Sequence, residues 1–487
     1  MSCKKLKCLI LQCCKILREE IENRLPCPPI VINQLPFTIS QSGEYILCQN
    51  LIYDGNLPPI NINSPDIFIN LNRHSITTTN SALATVIDIL AGSNNVEIGN
   101  GSLLGNAARG IRIAASNKIV INNLYSSGFI RHIQPNGIIN SLSVINSTFI
   151  NTITDVLNVI TSGIIQFNRI SNTIIEKCRF DGFTFGINTN FGSTNLTIKE
   201  TQFTNNIFGL RFDANSIPSS NLLLEACQFT AHPLTNFNCV QIGSLGTRYS
   251  STIIIRKCNF DTTASLGFQG QPGIDAITLF NSQTSNSVII EDNTFIGAGS
   301  TFSAIRLGDF ASPVPPPFPF PANSTIIRGN TVDSVSGPLG SQSLIGFACL
   351  NGSAARIEKN LIRNTTLAGI LVRDMFTFAH IIDNSIVTGL GDGILVESQA
   401  TGAAIIDNII QDHCGAGIRL ELGSFDNLVQ DNKIFKNGSG IDDNGTNEIG
   451  VNTVFSNNKI CPPISINENL LQKFQLEKKT LVVDLTI

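Results

Sequence analysis

The chain runs to 487 residues with a formal net charge of −4, and only 14% of it is charged. That balance lacks the basic footprint of a nucleic-acid partner, and no apolar run approaches the roughly 18 residues a membrane-crossing helix needs. Polarity comes instead from Asn, Ser and Thr, which suits a sugar-contacting surface or a plain stack of turn-rich strands.

In chain order, residues 1–34 form the first unit. Ile10, Cys14, Leu17, Ile21 and Leu25 fall on one face of a predicted amphipathic helix over residues 4–25, which Pro26, Pro28 and Pro29 stop. Three uses are open to it: a cap over exposed strand edges, a short coiled coil assembling subunits, or a membrane-surface helix carrying Lys4, Lys5, Lys7 and Lys15. The first residues resemble a signal peptide in charge, but a charged stretch follows without a small-residue cleavage site, so the segment is expected to be retained. Five of the 13 cysteines lie here: Cys3, Cys8, Cys13, Cys14 and Cys27. They form no CxxC and have no nearby His, so no metal is expected and cross-linking of subunits is their candidate role. In a reducing compartment they are ordinary buried thiols.

Residues 35–461 carry a repeated phrase: an aliphatic, two polar residues, a small polar residue, a spacer and an apolar residue. It reads Ile119–Asn122–Leu124, Ile175–Cys178–Phe180, Ile255–Cys258–Phe260, Ile290–Asn293–Phe295, Ile327–Asn330–Val332, Ile357–Asn360–Ile362, Ile381–Asn384–Ile386, Ile405–Asn408–Ile410 and Val429–Asn432–Ile434. From Asn360 to Asn432 the step is 24 residues each time, a period that means a solenoid. A second phrase follows about ten residues on, as in Gly110-Ile-Arg-Ile, Gly209-Leu-Arg-Phe, Gly369-Ile-Leu-Val and Gly417-Ile-Arg-Leu. Two or three short strands per turn would stack on their copies one rung away, giving parallel sheets and continuous aliphatic columns. Asn suits the turn because it tolerates a left-handed backbone, and one Asn per rung predicts a side-chain ladder. Cys178, Cys227 and Cys258 take that inward place on other rungs.

With the opening segments Leu35-Pro-Phe-Thr-Ile-Ser, Ile67-Phe-Ile-Asn-Leu and Asn95-Val-Glu-Ile-Gly-Asn-Gly, the chain resembles the right-handed parallel β-helix family of pectate lyases and polygalacturonases. It also looks like uncharacterised β-helix surface proteins of large DNA viruses and bacteria. The resemblance implies an all-β solenoid over residues 35–461 and says little of activity, because such folds host many functions.

Rung spacing widens to 31, 35 and 37 residues between Cys227, Cys258, Asn293 and Asn330, which requires loops. One is proline-rich and displays Phe318 and Phe320, a candidate ligand or subunit contact. Residues 462–487 read as a C-terminal cap or an assembly segment.

The resemblance implies that any active site lies on the outside of one sheet. Outward positions after each Gly give Arg211 and Asp213, Asp275, Arg373, Glu397, Arg419 and Glu421, and Asp442. Glu397 and Glu421 fall on successive rungs, about 4.8 Å apart, near the gap of a retaining hydrolase. With Arg419 they are the candidate catalytic residues. Arg373 and Asp442 are candidate ligand contacts. The same charges also read as an ion-pair ladder. No Gly-His-Gly or Arg-x-Lys occurs, and His74, His132, His232 and His380 have no carboxylate beside them in sequence.

The expectation is a non-enzymatic structural rod on a virion, spore or cell exterior, self-assembling as a homo-oligomer (trimer or fibre) and contacting glycans, with no cofactor. A polysaccharide lyase or glycoside hydrolase, and a glycan-binding adhesin or receptor-binding spike, are the alternatives.

Overall fold

The computed structural model describes residues 28–455, less the segments 154–159, 167–169, 190–192, 213–218, 232–238, 243–249, 264–273, 280–286, 298–300, 308–323, 334–344, 350–353 and 374–377. The predicted N-terminal helix, its cysteines Cys3, Cys8, Cys13, Cys14 and Cys27, the Phe318 and Phe320 loop and residues 462–487 lie outside the described residues. Among the described residues there is no helix.

The chain is a right-handed parallel β-helix with three strands to a turn. One turn comprises Ala354–Glu358, Leu361–Thr365 and Ala368–Val372, and the next comprises Phe378–Ile382, Ser385–Gly389 and Asp392–Val396. First and second strands together build a 31-stranded sheet, and third strands build a 16-stranded sheet. Every pairing among the described residues is parallel, and outside register shifts at Thr204/Asn206, Ile274/Asp275 and Phe425/Leu428 each side chain sits on its copy one rung away. Ile187 pairs with Leu210, Leu210 with Val240, and Ile370 with Ile394, continuing to Ile418 and Ile441. Sixteen rungs at about 4.8 Å give a rod roughly 70 Å tall.

Alternation decides which residues enter. In the strand Phe378–Ile382, Ala379 and Ile381 are buried while Phe378 and His380 face out. Three inward columns meet along the axis. The second-strand column begins as stacked phenylalanines, Phe149, Phe180, Phe203, Phe229, Phe260 and Phe295, with ring centroids 5.1, 5.4, 4.6, 4.9 and 4.9 Å apart. It continues as Val332, Ile362, Ile386, Ile410 and Ile434. The glycine of the second phrase is required by this packing rather than by its backbone. A Cβ on Gly186 would lie 2.9 Å from the Phe203 ring, and one on Gly369 would collide with Ile386.

From Ile145–Thr148 to Gln430–Lys433 the connection between first and second strands is two residues. The first has positive φ: Lys177, Glu200, Ala226, Lys257, Asp292, Lys359, Asp383, Asp407 and Asp431, with Gly329 in the same series. The left-handed residue is therefore the one before the ladder position, and the ladder Asn is kept for a different reason. Asn360 Oδ1 accepts from the backbone N–H and the Nδ2 of Asn330 (2.9 and 3.0 Å). Its own Nδ2 donates to the Ile327 carbonyl (2.9 Å) and to Asn384 Oδ1 (3.0 Å). The pattern runs unbroken through Asn293, Asn330, Asn360, Asn384, Asn408, Asn432 and Asn452. Buried amides with every donor and acceptor filled stabilise a corner that would otherwise strand backbone polar groups.

Cysteine performs the same task lower down. Cys258 Sγ accepts from the Cys227 N–H (3.5 Å) and donates to the Leu224 and Arg256 carbonyls (3.7 and 3.3 Å). Burial pushes the Cys178 thiol up to about 12, so it is inert. The Ile119–Asn122–Leu124 assignment is corrected by two residues. Ile121 pairs with Val144, whose upper neighbour is Ile175, so the turn reads Ile121–Leu124–Ser126 and Asn122 is not in the ladder. Leu124 takes the ladder place, its N–H bonding Ser147 Oγ (3.1 Å).

The phenylalanine stack ends at His132. Ser126 occupies the position where Phe149 stands one rung on, and its Oγ lies 2.7 Å from His132 Nδ1. The Phe129, Phe149 and Phe183 rings meet the imidazole edge to face at 5.4, 5.9 and 5.0 Å. Burial holds the His132 pKa down at about 3.

Two outcomes are expected. Asn408→Leu removes the acceptor of the Asn384 N–H and the amide donor to the Ile381 carbonyl, at about 1–3 kcal/mol each, so urea unfolding should lose about 2–6 kcal/mol, while Cys258→Asn stays near wild type. Because folded His132 binds its proton more weakly than the unfolded chain, stability should fall as pH drops from about 6.5 towards 3. Denaturation at successive pH values should show His132→Gln losing up to about 1.4 kcal/mol per pH unit less than wild type there.

Candidate functional site

Two regions of the outer surface gather chemistry-bearing side chains. The first is a groove of ≈ 470 Å³ beside the corner between first and second strands on the later turns. The rule that places a left-handed residue before each ladder Asn puts Lys359, Asp383, Asp407 and Asp431 in one outward column. Asp accepts that backbone more readily than most residues because its short side chain bonds locally. The three carboxylates are 24 residues apart in sequence and so one rung, about 4.8 Å, apart along the rod.

The walls follow from register. On the first-strand side Glu358 pairs with Ile382, so an aliphatic stands where a charge stood one rung earlier. On the second-strand side Ser385 pairs with Ile409, which is 38% exposed, and Ile409 pairs with Lys433. Arg356 closes one end, bonded through Nε to Glu358 Oε2 at 2.5 Å. Carboxylates, cations and two aliphatic side chains therefore line an open channel parallel to the axis.

The second region is the outer face of the third strands, where sequence reasoning placed the candidate catalytic set. Those residues divide into two groups. Arg373 grips Glu397 with Nε on Oε2 and Nη2 on Oε1, both 2.5 Å, and each side chain is 13% exposed. Arg419 instead pairs with Asp392, Nε to Oδ2 at 2.8 Å and Nη2 to Oδ1 at 3.1 Å, and reaches Asp442 at 3.7 Å. The bond to Asp392 is the main reason the Arg419 pKa is raised. Asp392 Oδ1 also accepts the Ala416 N–H (2.7 Å), and Asp442 Oδ2 accepts from Ser439 Oγ (2.9 Å). Glu421 lies directly above Glu397, since Val396 and Leu420 pair, and its Oε2 accepts the Ser398 N–H at 3.3 Å.

Asp392 was missed because it precedes its Gly, whereas outward positions were counted only after it. The groove was missed too, although its signal was visible: Asp stands before the ladder Asn at 383, 407 and 431. Asp412 takes a left-handed corner and His413 is fully buried.

The family described as NosD, periplasmic copper-binding protein, matches residues 320–469, a minor part of the chain. No curated protein matches. Among solved structures, a tailspike variant of E. coli bacteriophage HK620 in complex with a pentasaccharide is 11% identical, with a TM-score of 0.47, covering 86% of this chain and 72% of that one. A second variant of that tailspike, also with pentasaccharide, is 10% identical at a TM-score of 0.45, covering 83% and 72%. The Dettilon tailspike protein is 12% identical at a TM-score of 0.26, covering 84% and 62%.

Proposed function

We propose that the protein is a non-catalytic β-helical rod on the exterior of a cell or particle, and that it holds a glycan along the groove of Asp383, Asp407 and Asp431. The observation that carries this is a column of stacked carboxylates beside cations, half-buried Ile382 and exposed Ile409 in an open channel. Sugar hydroxyls pair with such groups, and the C–H faces of pyranose rings lie on aliphatic side chains. A few placed polar groups on an apolar bed are what small-ligand sites share.

One feature supports the rest of the reading: Cys414 is disulfide-bonded, which suits an oxidising exterior. No helix among the described residues is long and apolar enough to cross a membrane. Self-association of the rod and the cross-linking role of the N-terminal cysteines belong to the same proposal. Copper does not enter it. Within the matched segment Cys349 is buried in a third-strand column, His380 faces outward, His413 is buried and Cys414 is bonded, and no three metal-binding side chains converge among the described residues.

Binding is favoured over cleavage because both Glu397 oxygens are held by Arg373, which leaves neither facing a glycosidic oxygen. A hydrolase needs one carboxyl free to give up a proton.

On an array of neutral, amino and acidic glycans, the full chain should retain at least one class without releasing products. Asp407→Asn should weaken that binding about 10-fold or more, the worth of a charge-assisted hydrogen bond, and Glu421→Gln should leave it unchanged. A silent array dismisses the glycan. Products that vanish with Glu421→Gln would install the hydrolase in its place.

A further inference from the structure

The first-strand face carries an ordered pattern that meets the groove only at Glu358. Along one outward column the residues on seven successive rungs are Glu176, Lys199, Glu225, Arg256, Glu291, Arg328 and Glu358, a perfect alternation of sign. Neighbours bond along it: Lys199 to Glu225 at 3.1 Å, Arg256 to Glu225 at 2.7 Å and Arg328 to Glu291 at 2.6 Å. Two residues earlier on each strand runs an apolar column, Ile174, Leu223, Ile254, Ile289 and Ile326, interrupted by Thr197. Ile174 is 42% exposed and the others are half-buried. Beyond it lies an exposed amide column in which Asn195 bonds Asn172 and Asn221 bonds Asn195, both at 2.9 Å.

This side is also kept smooth. The two-residue connection from first to second strand never lengthens from Ile145–Thr148 to Gln430–Lys433, whereas connections into and out of the third strand vary widely. Long connections would break a flat contact.

We propose that this face is the interface between two antiparallel copies of the chain, related by a two-fold axis that runs along the first-strand direction between the Arg256 and Glu291 rungs. Such an axis lays every column on itself with the rung order reversed. Arg256 then meets the partner's Glu291, Glu225 meets the partner's Arg328, and Lys199 meets the partner's Glu358. Ile254 faces the partner's Ile289, and Leu223 faces the partner's Ile326. An axis through a rung would set like charges opposite each other, so the alternation selects the register. Exposed ion pairs are individually weak, so the apolar column supplies affinity and the charges supply orientation. The contact is isologous and closes as a dimer. A seven-residue strand spans about 23 Å and seven rungs at about 4.8 Å each cover about 34 Å, on the order of 800 Å² per copy, the standard size for a stable interface.

The test uses the full chain in light scattering after size exclusion at about 20 µM. Wild type is expected as a dimer, and Ile254→Asp with Ile289→Asp as a monomer with an unchanged circular-dichroism spectrum. Arg256→Glu alone and Glu291→Arg alone should each weaken dimerisation at least 10-fold, and an equimolar mixture of the two should recover the dimer. Only the antiparallel register predicts that recovery. A monomeric or trimeric wild type, a dimer that survives the Ile254→Asp and Ile289→Asp pair, or a mixture that fails to recover would overturn the proposal. The groove side chains are untouched, so glycan retention is a separate readout.

Discussion

Everything in this rod depends on how a parallel coil turns a corner without stranding its own backbone. Between first and second strands the chain bends within two residues, and the N–H at the bend faces inward where no water reaches. The stacked asparagines answer that demand: each amide from Asn330 to Asn432 accepts two hydrogen bonds from the rung before and donates to both rungs. Net gain per buried hydrogen bond is modest, but leaving one unmade is costly. The ladder therefore acts mainly as a specification. A strand shifted by one residue would point its amide outward and bury the preceding charge.

The remaining columns adjust to that corner. Cys and Thr replace Asn along most of the aromatic column: Cys178, Thr201, Cys227 and Cys258 lie on the turns of Phe180, Phe203, Phe229 and Phe260, and Asn begins with Asn293 on the turn of Phe295. Where the column turns aliphatic, from Val332 onward, Asn occupies every ladder position. A short side chain that still bonds the corner N–H is common to both halves. Burial of the thiols removes their reactivity, so they contribute shape and hydrogen bonding alone. His132 closes the aromatic half in the same economical way, one ring nitrogen satisfied by Ser126 and the ring packed against three phenylalanines.

Much of this was legible in the chain. A strict 24-residue step from Asn360 to Asn432 announces the coil, the ladder and the inward columns, because burial on one face forces alternation. Legibility failed where two registers look alike. In Lys118-Ile-Val-Ile-Asn-Asn-Leu the aliphatics permit a frame two residues early, and the true ladder residue, Leu124, is apolar. The backbone role of the corner was assigned to Asn itself, yet it falls to the residue before it, whose identity varies from Ala to Lys to Asp. The alternating charges from Glu176 to Glu358 escaped notice because their spacing in sequence is uneven, and only the three-dimensional stack makes them neighbours. The pairing of Arg419 with Asp392 escaped for the same reason. Glu397 and Glu421 were correctly set on adjacent rungs, but nothing in their spacing announces the clamp by Arg373.

From the turn of Ile145 to that of Lys433, length variation is confined to the flanks of the third strand, which has an evolutionary consequence. A gene can gain or lose codons at those junctions without disturbing the ladder, the aromatic column or the smooth side. Diversity is thus free to accumulate on one flank while the opposite flank stays constant from one descendant to the next. For an engineer, the same junctions are the natural places to graft foreign peptides.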